Sequence, residues 1–356
     1  MTGGNLTGLF FAGARTPQPP ELRPATFLYP NSTGYDGQFY RDMAHDPLLR
    51  KGYAKYLDEP GYRYRRILIP AIAAVLGAGS RRTVDFWCVA VTDIVLALGG
   101  VCFLELAAGL CAPWLAALLY LLLPATVAST DRIVTDGPAV AGFLAAWLLY
   151  RNRRIAALLA VLALLPLVRE SAILVTAGVV LAFLRSGNVR RAALAALTVV
   201  PAAAWWGYVA VRAGITDPVR IFTIPVWPQV MRLFQIFPRP LPPAPRMAMQ
   251  ALDALGAACL LVALGWMGWV ALRRWKDDTW LVLPSALLAA CTGGWFVMSQ
   301  PYDFLRVDSV LLAWTVLTML AARRRYAVVY GIACSLPLLV YRAAPLLALA
   351  GWKITG

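Results

Sequence analysis

RNRRIAALLAVLALLPLVRESAILVTAGVVLAFLRSGNVRR, residues 151–191, decides the fold. Two apolar runs, Ile155–Val168 and Ser171–Leu184, meet at a single polar step, Arg169–Glu170, and an arginine cluster brackets them at each outer end. A soluble helical hairpin would carry a charged face along both runs, and neither run has one. The pattern is that of two membrane helices whose ends lie in the cytoplasm and whose tight turn lies outside.

Composition extends this reading to the whole chain. Of 356 residues 60% are hydrophobic and 14% charged. A soluble domain is nearer about 45–50% apolar and about 25% charged. A helix needs about 20 apolar residues to cross the hydrocarbon, with about 17–25 usual. Candidate spans are Val84–Ala107, Pro113–Ser129, Pro138–Tyr150, Ile155–Val168, Ser171–Leu184, Ala192–Val211, Ala251–Leu272, Thr279–Met298, Val307–Ala322 and Ala327–Leu347. The sequence predicts an all-α, polytopic transmembrane helical bundle of about ten spans. Ile67–Gly79 is apolar but short and reads as an interfacial helix, and the four runs between Pro113 and Leu184 need extended ends or a thinned bilayer. The six cysteines fall in or beside apolar runs without a CxxC pair, which reads as small core residues rather than disulfides or zinc ligands.

Charge sets the orientation. The clusters Arg151/Arg153/Arg154, Arg185/Arg190/Arg191, Arg273/Arg274/Lys276 and Arg323/Arg324/Arg325 recur at alternate loops, so all four face the cytoplasm together. The net charge of +15 is accounted for by such loops and not by a nucleic-acid surface, so no nucleic-acid partner is expected. The region Gly34–Arg82, the turns Thr130–Gly137 and Arg169–Glu170, and the segments Arg212–Gln250 and Ser299–Arg306 then face outward. In the Pro-rich outer segment, Trp227, Phe234 and Phe237 suit the lipid interface. Four regions follow: an outer loop region with an interfacial helix over 1–83, a transmembrane core over 84–211, the Pro-rich loop over 212–250 and C-terminal spans over 251–356. The first residues lack the basic start and apolar block of a signal peptide.

Most chemistry-bearing residues share the outer face. GYDGQFYRDMAHDP, residues 34–47, and PGYRYRRILIP, residues 60–70, place acids, arginines, tyrosines and the single histidine beside an apolar body. Asp36 lies between Gly34 and Gly37, which let backbone approach a substrate, and a carboxylate there can serve as general base; the bland alternative is a solvated turn. Asp42 and Asp46 are weaker candidates, Asp46 because Pro47 makes it a turn initiator. His45 is a candidate acid, base or ligand, or else a hydrogen-bonded interfacial residue. Arg63, Arg65 and Arg66 alternate with Tyr62 and Tyr64 and suit a phosphate, or else anchor to lipid headgroups. Tyr35, Gln38 and Tyr40 are supporting candidates. Asp131, Arg132 and Asp136 in TDRIVTDG, and Arg169 and Glu170 in VRES, are further polar groups between spans, with Arg132 and Arg169 candidates for the donor phosphate, or else structural ion pairs. Tyr302, Asp303 and Arg306 offer another outward phosphate or sugar contact.

GYDGQFY in an outer loop, the short helix after YRYRR, the turn PATVASTDRIVTDGP and the later VRESAIL resemble the GT-C superfamily of integral-membrane glycosyltransferases, over roughly Gly34–Leu184. The resemblance implies a GT-C-like bundle in the plasma or inner membrane with its active face extracytoplasmic. It implies a polyprenyl-phosphate-linked sugar as donor, and Asp36 in the place of the catalytic base. Asp131 or Asp136 would be the second acid, and Glu170 and Arg169 would support the site. The acceptor, a glycan, lipid or protein, stays open. No cofactor is certain; without a DxD pair, metal dependence does not carry over, and a divalent metal is left open. The family has a spanning helix before its catalytic loop. Met1–Asn31 offers none, so the expectation is an upstream segment in the gene or a branch lacking that helix. A lipid-linked-sugar flippase or transporter, or a non-catalytic membrane assembly subunit, is the alternative. A transporter would need charges within spans or broken helices in paired halves, and no halves repeat.

Overall fold

A computed structural model describes residues 4–214, 224–234, 243–273, 277–291 and 301–349. Asp217, Phe237, Arg274, Lys276 and residues 292–298 lie outside the described residues, as does the side chain of Tyr302. The helices in chain order are α1 (Asp36–His45), α2 (Pro60–Arg63), α3 (Leu68–Leu76), α4 (Arg81–Leu106), α5 (Pro113–Leu121), α6 (Pro124–Arg132), α7 (Asp136–Arg151), α8 (Ile155–Val168) and α9 (Ile173–Arg185). They continue as α10 (Val189–Leu197), α11 (Val200–Ala213), α12 (Trp227–Leu233), α13 (Pro243–Arg273), α14 (Asp277–Cys291), α15 (Pro301–Val307), α16 (Ser309–Ala322) and α17 (Arg324–Leu349). The described strands are β1 (Ala12–Gly13) and β2 (Leu28–Tyr29), a parallel pair in the N-terminal arm.

Among the described residues, four stretches are long and apolar enough to cross a membrane: α4, α10 with α11 as Val189–Ala213, Met249–Arg273 in α13, and Arg324–Ala343 in α17. The pair α5 and α6, bent by 63°, makes a fifth if it counts as one broken span. The predicted crossing Pro113–Ser129 is therefore two helices, with Pro124 opening the second. Helices α8 and α16 have 14 residues each and α9 has 13. At 1.5 Å per residue such helices are about 20 Å long, short of a hydrocarbon layer about 30 Å thick. The shortness of α8 and α9 matches the short runs read from the sequence, which are separated by the 3₁₀ turn Glu170–Ala172. The short interfacial helix expected after Arg66 is α3, nine residues long. The Pro-rich segment holds the seven-residue α12, and Trp227 and Phe234 at its ends are exposed. All six cysteines are free thiols.

The chain forms two compact units that alternate along the sequence. The first comprises Met1–Gly99, Ala128–Thr176 and Asn188–Asp217; the second comprises Gly100–Val127, Ala177–Gly187 and Pro218–Gly356. In the first, α1 packs on α3 and α7 on α8, and Phe10, Ala44, Ala73, Val84, Cys88 and Ile133 share one apolar core. Phe10 anchors the Gly- and Pro-rich arm there with no exposed surface. In the second, α13 packs against α12, α14 and α17, and α16 against α17. The fully buried Ser309 holds the first turn of α6, its hydroxyl accepting from the Ala125 N–H at 3.0 Å. The buried Arg232–Asp253 pair, 3.2 Å, joins α12 to α13.

Candidate functional site

Helix α1 is polar by sequence, DGQFYRDMAH, yet Gly37 through His45 are all buried. Polar groups removed from water must find partners or carry a penalty, and most of this helix can be accounted for in those terms. Gln38 ties down the arm: its amide oxygen accepts from the Gly13 N–H and from Gln18, both at 3.2 Å, and its amide nitrogen donates to the Thr33 carbonyl at 3.0 Å. Arg41 makes a two-pronged pair with Asp85 of α4, at 2.7 and 3.0 Å, and donates to Thr26. His45 Nε2 meets the same Asp85 at 2.9 Å. The single histidine thus buttresses a buried structural pair. Its partner could have been suspected from an acid near the start of an apolar span.

Asp36 opens α1, where a carboxylate suits the positive end of the helix. It is half-buried and pairs with Arg63 Nη1 at 3.0 Å. Arg63 is held from its other edge by Asp58, at 2.9 and 2.7 Å, and lies over the Phe39 ring. Burial opposes charge on Arg63, but Asp36 and Asp58 outweigh it and raise its pKa. Asp58 is thus a member of the site that the sequence reading missed. Gly37 serves the protein rather than a substrate: a Cβ there would run into the Arg132 carbonyl oxygen and lie 2.9 Å from that of Phe10. That close approach brings the α1 loop against the segment of Asp131 and Arg132, which pair at 3.4 Å. The Arg132 guanidinium lies between the rings of Phe11 and Tyr35, 4.5 Å from each centre, and Phe11 stacks in turn on Tyr29.

The other predicted phosphate arginines are matched to acids. Arg66 donates to Glu170 at 2.7 and 2.6 Å, to the Tyr40 hydroxyl at 2.8 Å and to the Tyr62 hydroxyl. Burial would raise the Glu170 carboxyl, but the Arg66 guanidinium beside it and Arg169 nearby hold it down at about 2. Arg169 pairs with Asp136 at 2.6 Å. The five carboxylates Asp36, Asp58, Asp131, Asp136 and Glu170 thus face the four guanidiniums Arg63, Arg66, Arg132 and Arg169. A surplus of positive charge, which a phosphate pocket would use, is not what this constellation offers. Arg65 stands apart, half-buried and without a carboxylate partner among the described residues; its carbonyl accepts from Trp206.

Asp46 is a loop organiser, its carboxylate accepting backbone N–H groups of Arg50, Lys51 and Tyr53 at 2.7, 3.0 and 3.2 Å. Tyr64 is fully buried, and its hydroxyl donates to the Asp46 carbonyl. Arg306 and Asp303 pair with each other at 3.6 Å in the second unit. Among the described residues no group of three or more His, Cys, Asp or Glu gathers as a metal-ligand set.

Asp42 is the exception on α1. It is buried, and neither carboxylate oxygen has a hydrogen-bond partner among the described residues. Burial pushes its carboxyl up to about 8, Arg41 draws it back in part, and Asp85 adds to the rise. A folded-state pKa above the unfolded one stabilises fully only below the unfolded value. Unfolding midpoints in detergent should therefore fall as pH rises from about 4 to about 8. Asp42→Asn should flatten that fall, and an unchanged slope would show that Asp42 does not titrate there.

No family model matches the chain, nor does any curated protein or solved structure.

Proposed function

We propose that the chain is a GT-C-like membrane glycosyltransferase of about ten crossings, acting on the outer face with Asp36 as general base. The reading is carried by one observation: the acidic segments around Asp36 and Asp131, nearly a hundred residues apart in sequence, meet in one unit, where Gly37 lies against the Arg132 backbone and Asp36 pairs with Arg63. The shorter helices α7, α8, α9, α14 and α16 would count as crossings in a locally thinned bilayer. The matched arginines then fix the carboxylates in place rather than bind phosphate.

In this mechanism a sugar on a polyprenyl phosphate lies with its anomeric carbon near Asp36. The acceptor hydroxyl gives its proton to the Asp36 carboxylate and its oxygen bonds to the anomeric carbon. The bond from that carbon to the phosphate oxygen breaks, and its electron pair leaves with the lipid phosphate. The transition state is oxocarbenium-like, as in glycoside cleavage. The reading requires release of polyprenyl phosphate from a polyprenyl-phosphate sugar by the purified protein; loss of all turnover from protein that still binds the lipid would end it. It also places Asp36 and Asn152 on opposite sides of the membrane. Cysteines introduced at these positions should be labelled from opposite sides, and labelling from the same side would overturn the orientation.

A further inference from the structure

The first unit contains an open groove of about 540 Å³ whose lining includes Leu48, Arg50, Ile67, Ala204, Trp205 and Tyr208. The polar atoms of its aromatic walls are engaged by backbone carbonyls: the Trp205 indole N–H donates to the Tyr64 carbonyl at 2.7 Å, and the Tyr208 hydroxyl to the Leu48 carbonyl at 2.7 Å. What remains toward the groove is apolar. One bank is the loop after α1, whose course is fixed by Asp46 from within and by Arg212, which donates to the Leu49 carbonyl at 3.0 Å. That loop presents Arg50 at the rim, exposed and without a carboxylate partner among the described residues. Its neighbour Lys51 is exposed as well.

A mainly apolar trough with an exposed guanidinium at its edge suits an amphiphile with a hydrocarbon chain and a phosphate head. The segment Arg63–Ile67 links this trough to the carboxylate site, since Arg63 holds Asp36 and Ile67 lines the groove. We infer that the groove seats the isoprenoid chain of the carrier lipid and that Arg50, not Arg63, Arg66 or Arg169, contacts its phosphate. The identity of the lipid rests on the transfer reading; the place and the phosphate contact rest on the groove.

Binding of a long-chain polyprenyl phosphate to detergent-purified protein, followed by native mass spectrometry and by intrinsic tryptophan fluorescence, tests this without any turnover. The full chain should bind it, and Arg50→Ala should weaken binding about ten- to a hundredfold, as expected for loss of a charge-assisted contact. Ala204→Trp, at an exposed helical position, should block the groove with the charge intact and weaken binding comparably. Wild-type binding by both variants would overturn the inference. So would equal displacement by phosphatidylglycerol or inorganic phosphate, which would indicate general lipid annulus or simple anion binding. Failure here is distinguishable from failure of the transfer reading: sugar transfer with an unimpaired Ala204→Trp variant removes the groove and leaves the enzyme, whereas lipid binding without transfer does the reverse.

Discussion

Asp36→Asn protein should fold, bind polyprenyl-phosphate sugar as the wild type does, and transfer the sugar about 10²–10⁴-fold more slowly, the usual contribution of a general base. Asparagine keeps the size and can still accept a hydrogen bond from Arg63, which holds Asp36 at 3.0 Å, but it cannot take up the acceptor's proton. Asp58 keeps Arg63 in position from its other edge, so the guanidinium does not depend on Asp36 alone. Initial rates at saturating donor separate the two effects. A slower rate at unchanged donor affinity identifies the base, whereas wild-type turnover removes Asp36 from the chemistry.

Arg66→Ala should destabilise the protein by about 3–5 kcal/mol, the range found when one partner of a buried ion pair is removed. Arg66 is 2% exposed and serves Glu170, Tyr40 and Tyr62 together. Without it the Glu170 carboxylate and the Tyr40 hydroxyl lose a charged donor. Replacing both members with apolar residues, as in Arg66→Met with Glu170→Leu, should recover much of the loss, because neither charge is then left alone. Unfolding midpoints in detergent measure both. The pair also fixes an acid limit. The Glu170 carboxyl is lowered from 4.5 to about 2, so its stabilisation is present above the unfolded value and lost as pH falls toward about 2. Near-wild-type stability of Arg66→Ala would show that the pair is solvated.

Much of the site could be anticipated from sequence, but its wiring could not. The density of charge in GYDGQFYRDMAHDP marked α1, and the polar turn VRES marked the partner of Arg66, 104 residues away. Sequence could not say that Arg63, Arg66 and Arg169 are already matched, because the matching depends on long-range pairing and leaves no local pattern. It allowed His45 to be a hydrogen-bonded residue but could not name the partner, Asp85, which lies 40 residues away inside an apolar helix. Gly37 was recognisable as a place of close approach, yet the approaching group is the backbone of Arg132 rather than a substrate. Hydropathy located most apolar helices to within a few residues. It joined Pro113–Ser129 into one run, since a composition window does not register the break between α5 and α6, whereas the polar step Arg169–Glu170 did mark the turn before α9.

The stereochemistry of transfer tests the central claim most directly. A donor of known anomeric configuration, such as an anomerically pure polyprenyl-phosphate hexose, would be supplied to the purified protein with a hydroxylated acceptor, and the product would be read by NMR. A single displacement with Asp36 as base predicts that polyprenyl phosphate is released and that the new glycosidic bond has the inverted configuration. Retention of configuration, or release of no lipid phosphate by folded, lipid-binding protein, would contradict it.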